Sequence, residues 1–213
     1  MQLSISDLVY INEAAKCLKH RRFAFINNLL IGLDNIQTYI CKIVLDPNKL
    51  ENVSLKGLIF DQRDLSKFIK ALTTESYFYI DENNAVNQMF TNIGAVEMLV
   101  LTDKNMIDFA LSRINQSNVI DSNIAAYNNP ISGDITKDIE EVFTMHKGDG
   151  AFYYKFQNRY YLTLFNGLLP LNKSDKVYLS ILDNGMEPTF TAKYDIKKSK
   201  FVISIYIAYL KVF

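Results

Sequence analysis

Three times along this chain a short apolar strand runs straight into an amphipathic helix that opens with an aspartate. In the first copy Leu3 and Ile5 alternate with polar residues, and Ser6 or Asp7 caps a helix whose apolar positions are Leu8, Ile11, Ala15 and Leu18; His20, Arg21 and Arg22 end it. The second reads LKGLIF as strand and DQRDLSKFIKAL as helix, with Leu65, Phe68, Ile69 and Leu72 at i, i+3, i+4 and i+7 behind Asp61. The third reads VEMLVLT and then DKNMIDFALSRINQ, where Ile107, Ala110, Leu111 and Ile114 repeat that spacing behind Asp103. A fourth copy, RYYLTL followed by FNGLLPLNK, is interrupted by Gly167 and Pro170.

Hairpin strands fill the intervals. RFAFI, LLIGL and IQTYICKIVL break at Asn27-Asn28 and Asp34-Asn35, and KVYLSILD, EPTFTAKYD and KFVISIYIAYL form a meander broken at Asn184-Gly185 and Lys197-Lys198-Ser199. The segment from Ser117 to Lys137, rich in Asn, Ser and Asp, reads as a long loop. The helix starts recur too loosely for a solenoid. They predict an α+β chain of two similar domains, 1–94 and 95–213, each of two βαβββ-like units with helices on one face of antiparallel sheets. A length of 213 residues suits two domains, and 49% hydrophobic content with Tyr 13 and Phe 14 against Gly 8 and Pro 4 suits well-packed sheets.

Charge limits the function. Lys+Arg 23 against Asp+Glu 23 excludes a uniformly basic nucleic-acid coat, a basic membrane binder and an acidic tail, so any electrostatic role needs segregated charge. Arg63, Lys67 and Lys70 fall on the polar side of the second helix, and Lys16, Lys19 and His20 on the first, with Arg21 and Arg22 just beyond it. Helices lying side by side would merge these into a surface able to follow phosphates. No aromatic residue is interleaved with them, which disfavours a platform for stacking single strands.

Other chemistry is not signalled. No phosphate-binding, nucleophile-elbow or zinc-protease motif occurs. Gly148-Asp149-Gly150 reads as a turn, and Glu140-Glu141 would point to opposite faces of a strand. Cys17 and Cys41, expected reduced and buried, form no ligand set with His20 and His146, so no metal is expected. The N-terminus carries no secretory pattern and Phe201 to Leu210 is too short to span a membrane, so a cytoplasmic protein is expected and the N-x-S matches at Asn52, Asn115 and Asn172 are chance.

The stretch from YYLTLFNGLLPLNK through IAYLKVF, with VLTDKNMIDFALSRINQ and LKGLIFDQRDLSKFIKAL, resembles the DNA polymerase sliding clamps, of the two-domain kind typified by tailed-phage clamps and proliferating-cell nuclear antigen. The resemblance implies the DNA-clamp (processivity) fold and a homotrimeric ring, closed by edge-to-edge pairing of strands such as KFVISIYIAYL, around duplex DNA contacted without sequence specificity. It places Lys16, Lys19, Arg21, Arg22, Arg63, Lys67 and Lys70 towards DNA, with Lys104 and Arg113 from the third helix and Lys173 from the fourth as a sparser wall. It also implies DNA polymerase and other clients as partners, their peptides held beside Tyr209, Leu210 and Val212, a separate ATP-using clamp loader, and no cofactor or catalysis. The connector between Tyr79 and Val96 is shorter than the family's. The competing expectation is a structural or interaction protein, such as a phage virion component, whose basic helices are merely solvated.

Overall fold

The first helix starts a turn earlier than the alternation at Leu3 and Ile5 suggests: α1 spans Ile5–Leu18, so Ile5 is helical and no strand precedes it among the described residues. Ser4 and Asp7 form a reciprocal cap. The Ser4 Oγ accepts from the Asp7 N–H at 3.1 Å, and Asp7 Oδ2 accepts from the Ser4 N–H at 3.2 Å. Asp7 is fully buried and also accepts from the N–H groups of Glu51 at 2.7 Å and Asn52 at 3.2 Å, tying the helix start to a distant loop. The computed structural model describes residues 3–18, 20–34, 39–52, 54–71, 77–79, 86–91, 94–99, 101, 103–129, 134–135, 144–148, 151–156, 159–162, 174–183 and 190–208.

Two units are distinguished, one of Met1–Asp34 with Lys42–Phe109, the other of Asn35–Cys41 with Ala110–Phe213. In the first, α1 is followed by β1 (Arg22–Asn27), β2 (Leu29–Gly32), β3 (Tyr39–Val44), a short 3-10 turn at Pro47–Lys49, β4 (Ser54–Asp61), α2 (Gln62–Ala71), β5 (Tyr77–Tyr79), β6 (Val86–Thr91) and β7 (Gly94–Leu99). From β4 onwards the order is strand, helix and three strands, but the last of these, β7, takes in the start of VEMLVLT, the strand expected to open the third copy. An antiparallel sheet runs β4-β1-β2-β3, and β5-β6-β7 make a second. Leu101 bridges Ile59 of β4. Contacts thus keep β7, and the start of α3, with the first unit, past residue 94.

Burial in β1 does not alternate: Phe23, Ala24 and Phe25 are all fully buried, so both faces of this strand are covered. Phe23 lies opposite Phe60 in the β1–β4 register, and the rings stack with centroids 5.5 Å apart. Helix α1 packs on β2, α2 packs on β4 and β7, and the helices contact each other. Ser66 of α2 donates its hydroxyl hydrogen bond to Asn12 Oδ1 of α1 at 2.9 Å, a polar link between the two. A Cβ at Gly32 would lie 2.7 Å from the His20 ring, so this strand position must stay bare for the imidazole to be buried there.

In the second unit, which includes the first residues of β3 and the end of α3 (Lys104–Asn115), the strands are β8 (Asn118–Asn129), β9 (Asp134–Ile135), β10 (Thr144–Gly148), β11 (Ala151–Phe156), β12 (Arg159–Leu162), β13 (Lys176–Asp183), β14 (Phe190–Lys197) and β15 (Val202–Ala208). The expected loop from Ser117 is instead largely β8, a 12-residue strand held along β13; its polar composition was outweighed by a partner far along the chain. The meander β13-β14-β15 forms as predicted.

Val177, Leu179, Tyr194, Ile196, Ile203, Ile205 and Ile207 alternate on the buried face of the meander. On the other face Lys193 pairs with Asp195 at 2.9 Å, and the Ser204 hydroxyl donates to Asp195 at 2.6 Å. Nearby, burial pushes the Tyr206 phenol above its ordinary range; Lys193 opposes and Asp195 reinforces the shift. Lys198 and Asp175 form a largely enclosed pair at 2.7 Å. The segment FNGLLPLNK, Asp149-Gly150 of the expected turn, and Glu140-Glu141 lie outside the described residues.

Cys41 is buried in β3 as expected, but Cys17 is half-exposed on α1, and neither is in a disulfide. Burial pushes the Cys41 thiol far up, which suppresses its reactive thiolate. In the native protein Cys17 is therefore expected to react quickly with an aromatic disulfide reagent, and Cys41 only on unfolding. Release of both equivalents at one rate without denaturant would contradict this.

Candidate nucleic-acid interface

Helix α2 starts where Asp61 accepts from the N–H groups of Arg63 at 2.9 Å and Asp64 at 3.3 Å. With that start fixed, Leu65 and Phe68 turn inwards and Arg63, Asp64, Lys67 and Lys70 outwards. The predicted cationic side is therefore solvent-facing. Asp64 lies 3.8 Å from Lys67, but with side chains 55% and 81% exposed the pair is weak and leaves both ions open to solvent.

The outer side of α1 carries fewer cations. Ser6, Val9, Glu13 and Lys16 are its exposed positions, so Lys16 shares its stripe with an acid. His20 is buried, its Nδ1 2.6 Å from the Leu18 carbonyl, and adds no exposed charge. Lys19 and Lys173 lie outside the described residues, as do Tyr209, Leu210 and Val212. On α3, Lys104 is exposed in the first turn and Arg113 is half-buried, its guanidinium pKa lowered by desolvation. The exposed side of α3 also carries Met106 and Phe109.

Arg21 and Arg22 sit beside the start of α2. The Arg21 carbonyl accepts from the Gln62 N–H at 2.8 Å, and Arg22 lies opposite Asp61 in the β1–β4 register. Asp34 accepts from the Arg21 N–H at 2.7 Å, and Asp61 accepts from Arg21 Nε at 2.9 Å. Partial burial pushes the Asp61 carboxyl up, but hydrogen bonds from Arg21, Asp64 and Arg63 and the Arg21 charge outweigh it and hold it below the usual carboxylate range. The hydrogen bond and charge of Asp61 in turn raise the Arg21 pKa. Sequence reasoning missed these acidic partners: Asp61 was legible only as a helix cap, and Asp34 only as part of a turn.

The described residues thus bring together Arg63, Lys67 and Lys70 on one helix side, with Arg21 and Arg22 at that helix's start. Such a surface can attract phosphate oxygens by charge.

No family model and no curated protein matches the sequence. Among solved structures the chain is similar to Proliferating Cellular Nuclear Antigen from Entamoeba histolytica, at 12% identity over 98% of this chain and 97% of that one, with a TM-score of 0.45. It is also similar to A. fulgidus PCNA in a structure with the C-terminal region of FEN-1 bound, at 10% identity over 100% and 98% of the chains and a TM-score of 0.43. To the DNA polymerase III beta chain of Streptococcus pneumoniae TIGR4 it is similar at 12% identity and a TM-score of 0.49, this chain being covered completely and spanning 64% of that longer one.

Proposed function

We propose that this protein is a DNA polymerase processivity factor, a sliding clamp that encircles duplex DNA and tethers the polymerase. The observation that carries the reading is the solvent-facing row Arg63, Lys67 and Lys70 on a helix packed beside α1. A ring of copies of this chain, three copies supplying six units, would line its hole with such helices. Phosphate contacts of this kind are salt-labile and indifferent to sequence, so the ring slides. Holding a polymerase on the same DNA makes its rebinding intramolecular, which raises processivity without chemistry at the clamp. Opening and closing would fall to a separate loader that spends ATP, and client peptides would dock beside Tyr209, Leu210 and Val212. A cytoplasmic site of action fits this role.

The test is retention on DNA of different topology. Loaded with a cognate loader and ATP onto a nicked circular duplex, the protein is expected to stay bound through gel filtration and to be lost when the circle is cut. Replacing Arg63, Lys67 and Lys70 together by Ala is expected to leave folding intact. It should flatten the dependence of log affinity on log salt by about 2–3, from about 0.9 per phosphate contact. Equal retention on circular and linear DNA, or an unchanged salt slope in the triple variant, would overturn the reading.

A further inference from the structure

We propose that Asp61 is a positioning residue for DNA binding, fixing Arg21 through Nε so that the two Nη groups of its guanidinium face a duplex phosphate; the inference rests on the clamp reading above. The geometry is asymmetric in the way this role requires. Asp61 is the enclosed partner, its side chain 17% exposed, while the Arg21 side chain is 69% exposed. Both carboxyl oxygens are committed: Oδ1 accepts from the N–H groups of Arg63 and Asp64 in the first turn of α2, and Oδ2 accepts from Arg21. The carboxylate cannot turn away from Arg21 without giving up its hold on the helix start.

Arg21 is fixed at its backbone as well, through the N–H to Asp34 and the carbonyl to Gln62. A long exposed arginine ordinarily loses side-chain entropy when it grips a phosphate; here much of that ordering precedes binding. The hydrogen bond to Asp61 uses Nε alone, which leaves the planar fork of the terminal nitrogens for a bidentate phosphate contact that lysine cannot reproduce. Arg22, opposite Asp61 in the register, and Arg63, bound to Asp61 through its N–H, start from the same point. The opposing possibility is that Asp61 neutralises Arg21 and withholds it from DNA.

A double-mutant cycle separates the two. Retention on a nicked fluorescent circular duplex, loaded as above, is measured across a salt series for the wild type, Arg21→Ala, Asp61→Asn and the double variant. Asparagine retains an acceptor for the helix start and caps as well as aspartate, so α2 should persist. If Asp61 positions Arg21, Arg21→Ala lowers the salt slope by about 0.9 in the wild-type background and by much less in the Asp61→Asn background. In retention at one fixed salt concentration Arg21→Lys, which keeps the charge but not the fork, should lie nearer Arg21→Ala than the wild type, and this comparison stands even if Asp61→Asn folds poorly. Arg21→Ala having its full effect only when Asp61 is Asn, or Arg21→Lys binding like the wild type, overturns the proposal alone. Absence of retention on the circle by the wild type, or no change in the Arg63, Lys67 and Lys70 triple variant, overturns the clamp reading and this proposal with it.

Discussion

Phe60→Ala is expected to destabilise the protein by about 3–5 kcal/mol. The side chain is fully buried in β4, opposite Phe23, and their rings are stacked. Removing it forfeits the transfer energy of the ring and leaves a hole that the paired backbones of β1 and β4 hold open. For a chain of this length each kcal/mol moves the melting temperature by about 2–4 °C, so a fall on the order of 10 °C is expected. Phe60→Leu should lose only about 1–2 kcal/mol, since it refills most of the volume and gives up chiefly the aromatic pairing. Thermal melts by circular dichroism compare the variants; a loss below about 1 kcal/mol for the alanine variant would mean the ring is not enclosed as described.

Asp7→Ala is expected to cost about 2–4 kcal/mol, for a different reason. This fully buried carboxyl group contributes to the α1 cap and accepts from Ser4, Glu51 and Asn52 main-chain N–H groups. Alanine leaves those donors without their acceptor, and it frees the loop at 51–52 from the helix. Asp7→Asn should be intermediate, because one oxygen becomes a second donor facing donors. Denaturant unfolding gives the energy, and amide exchange at Glu51 and Asn52 gives the cause: both should exchange faster in Asp7→Ala. Unchanged exchange there would place the loss elsewhere.

Periodic elements were legible because their burial follows from spacing alone. Leu8, Ile11, Ala15 and Leu18 on α1, Leu65 and Phe68 on α2, and Ile107, Ala110 and Ile114 on α3 are buried as the spacing predicts. The start of α1 was misread because Leu3 and Ile5 offer too few residues for alternation to mean a strand, while the Ser-x-x-Asp pattern from Ser4 to Asp7 was the better signal. β8 was hidden by polar composition, since a strand's stability lies in partners that local sequence does not show. At the candidate site the row on α2 was legible for the same periodic reason as the core. The partners of Arg21 were not: Asp34 and Asp61 lie 13 and 40 residues away and meet it only through the fold.

The turn between β1 and β2 limits how this chain can change in length. Asn27 takes φ 55, a left-handed conformation that asparagine tolerates better than most residues, and Ile26 and Leu29 pair directly across it. Asn28 then reaches the end of β3, accepting at its carbonyl from the Leu45 N–H at 2.8 Å and donating from its side chain to the Leu45 carbonyl at 3.1 Å. Two adjacent asparagines thereby set the phase of three strands. One residue inserted or deleted within either paired strand would exchange its faces, turning Phe23 and Phe25 away from the side they share with Leu30 and Leu58. Drift in this part of the gene should therefore consist of substitutions, with insertions and deletions confined to segments that carry no pairing phase.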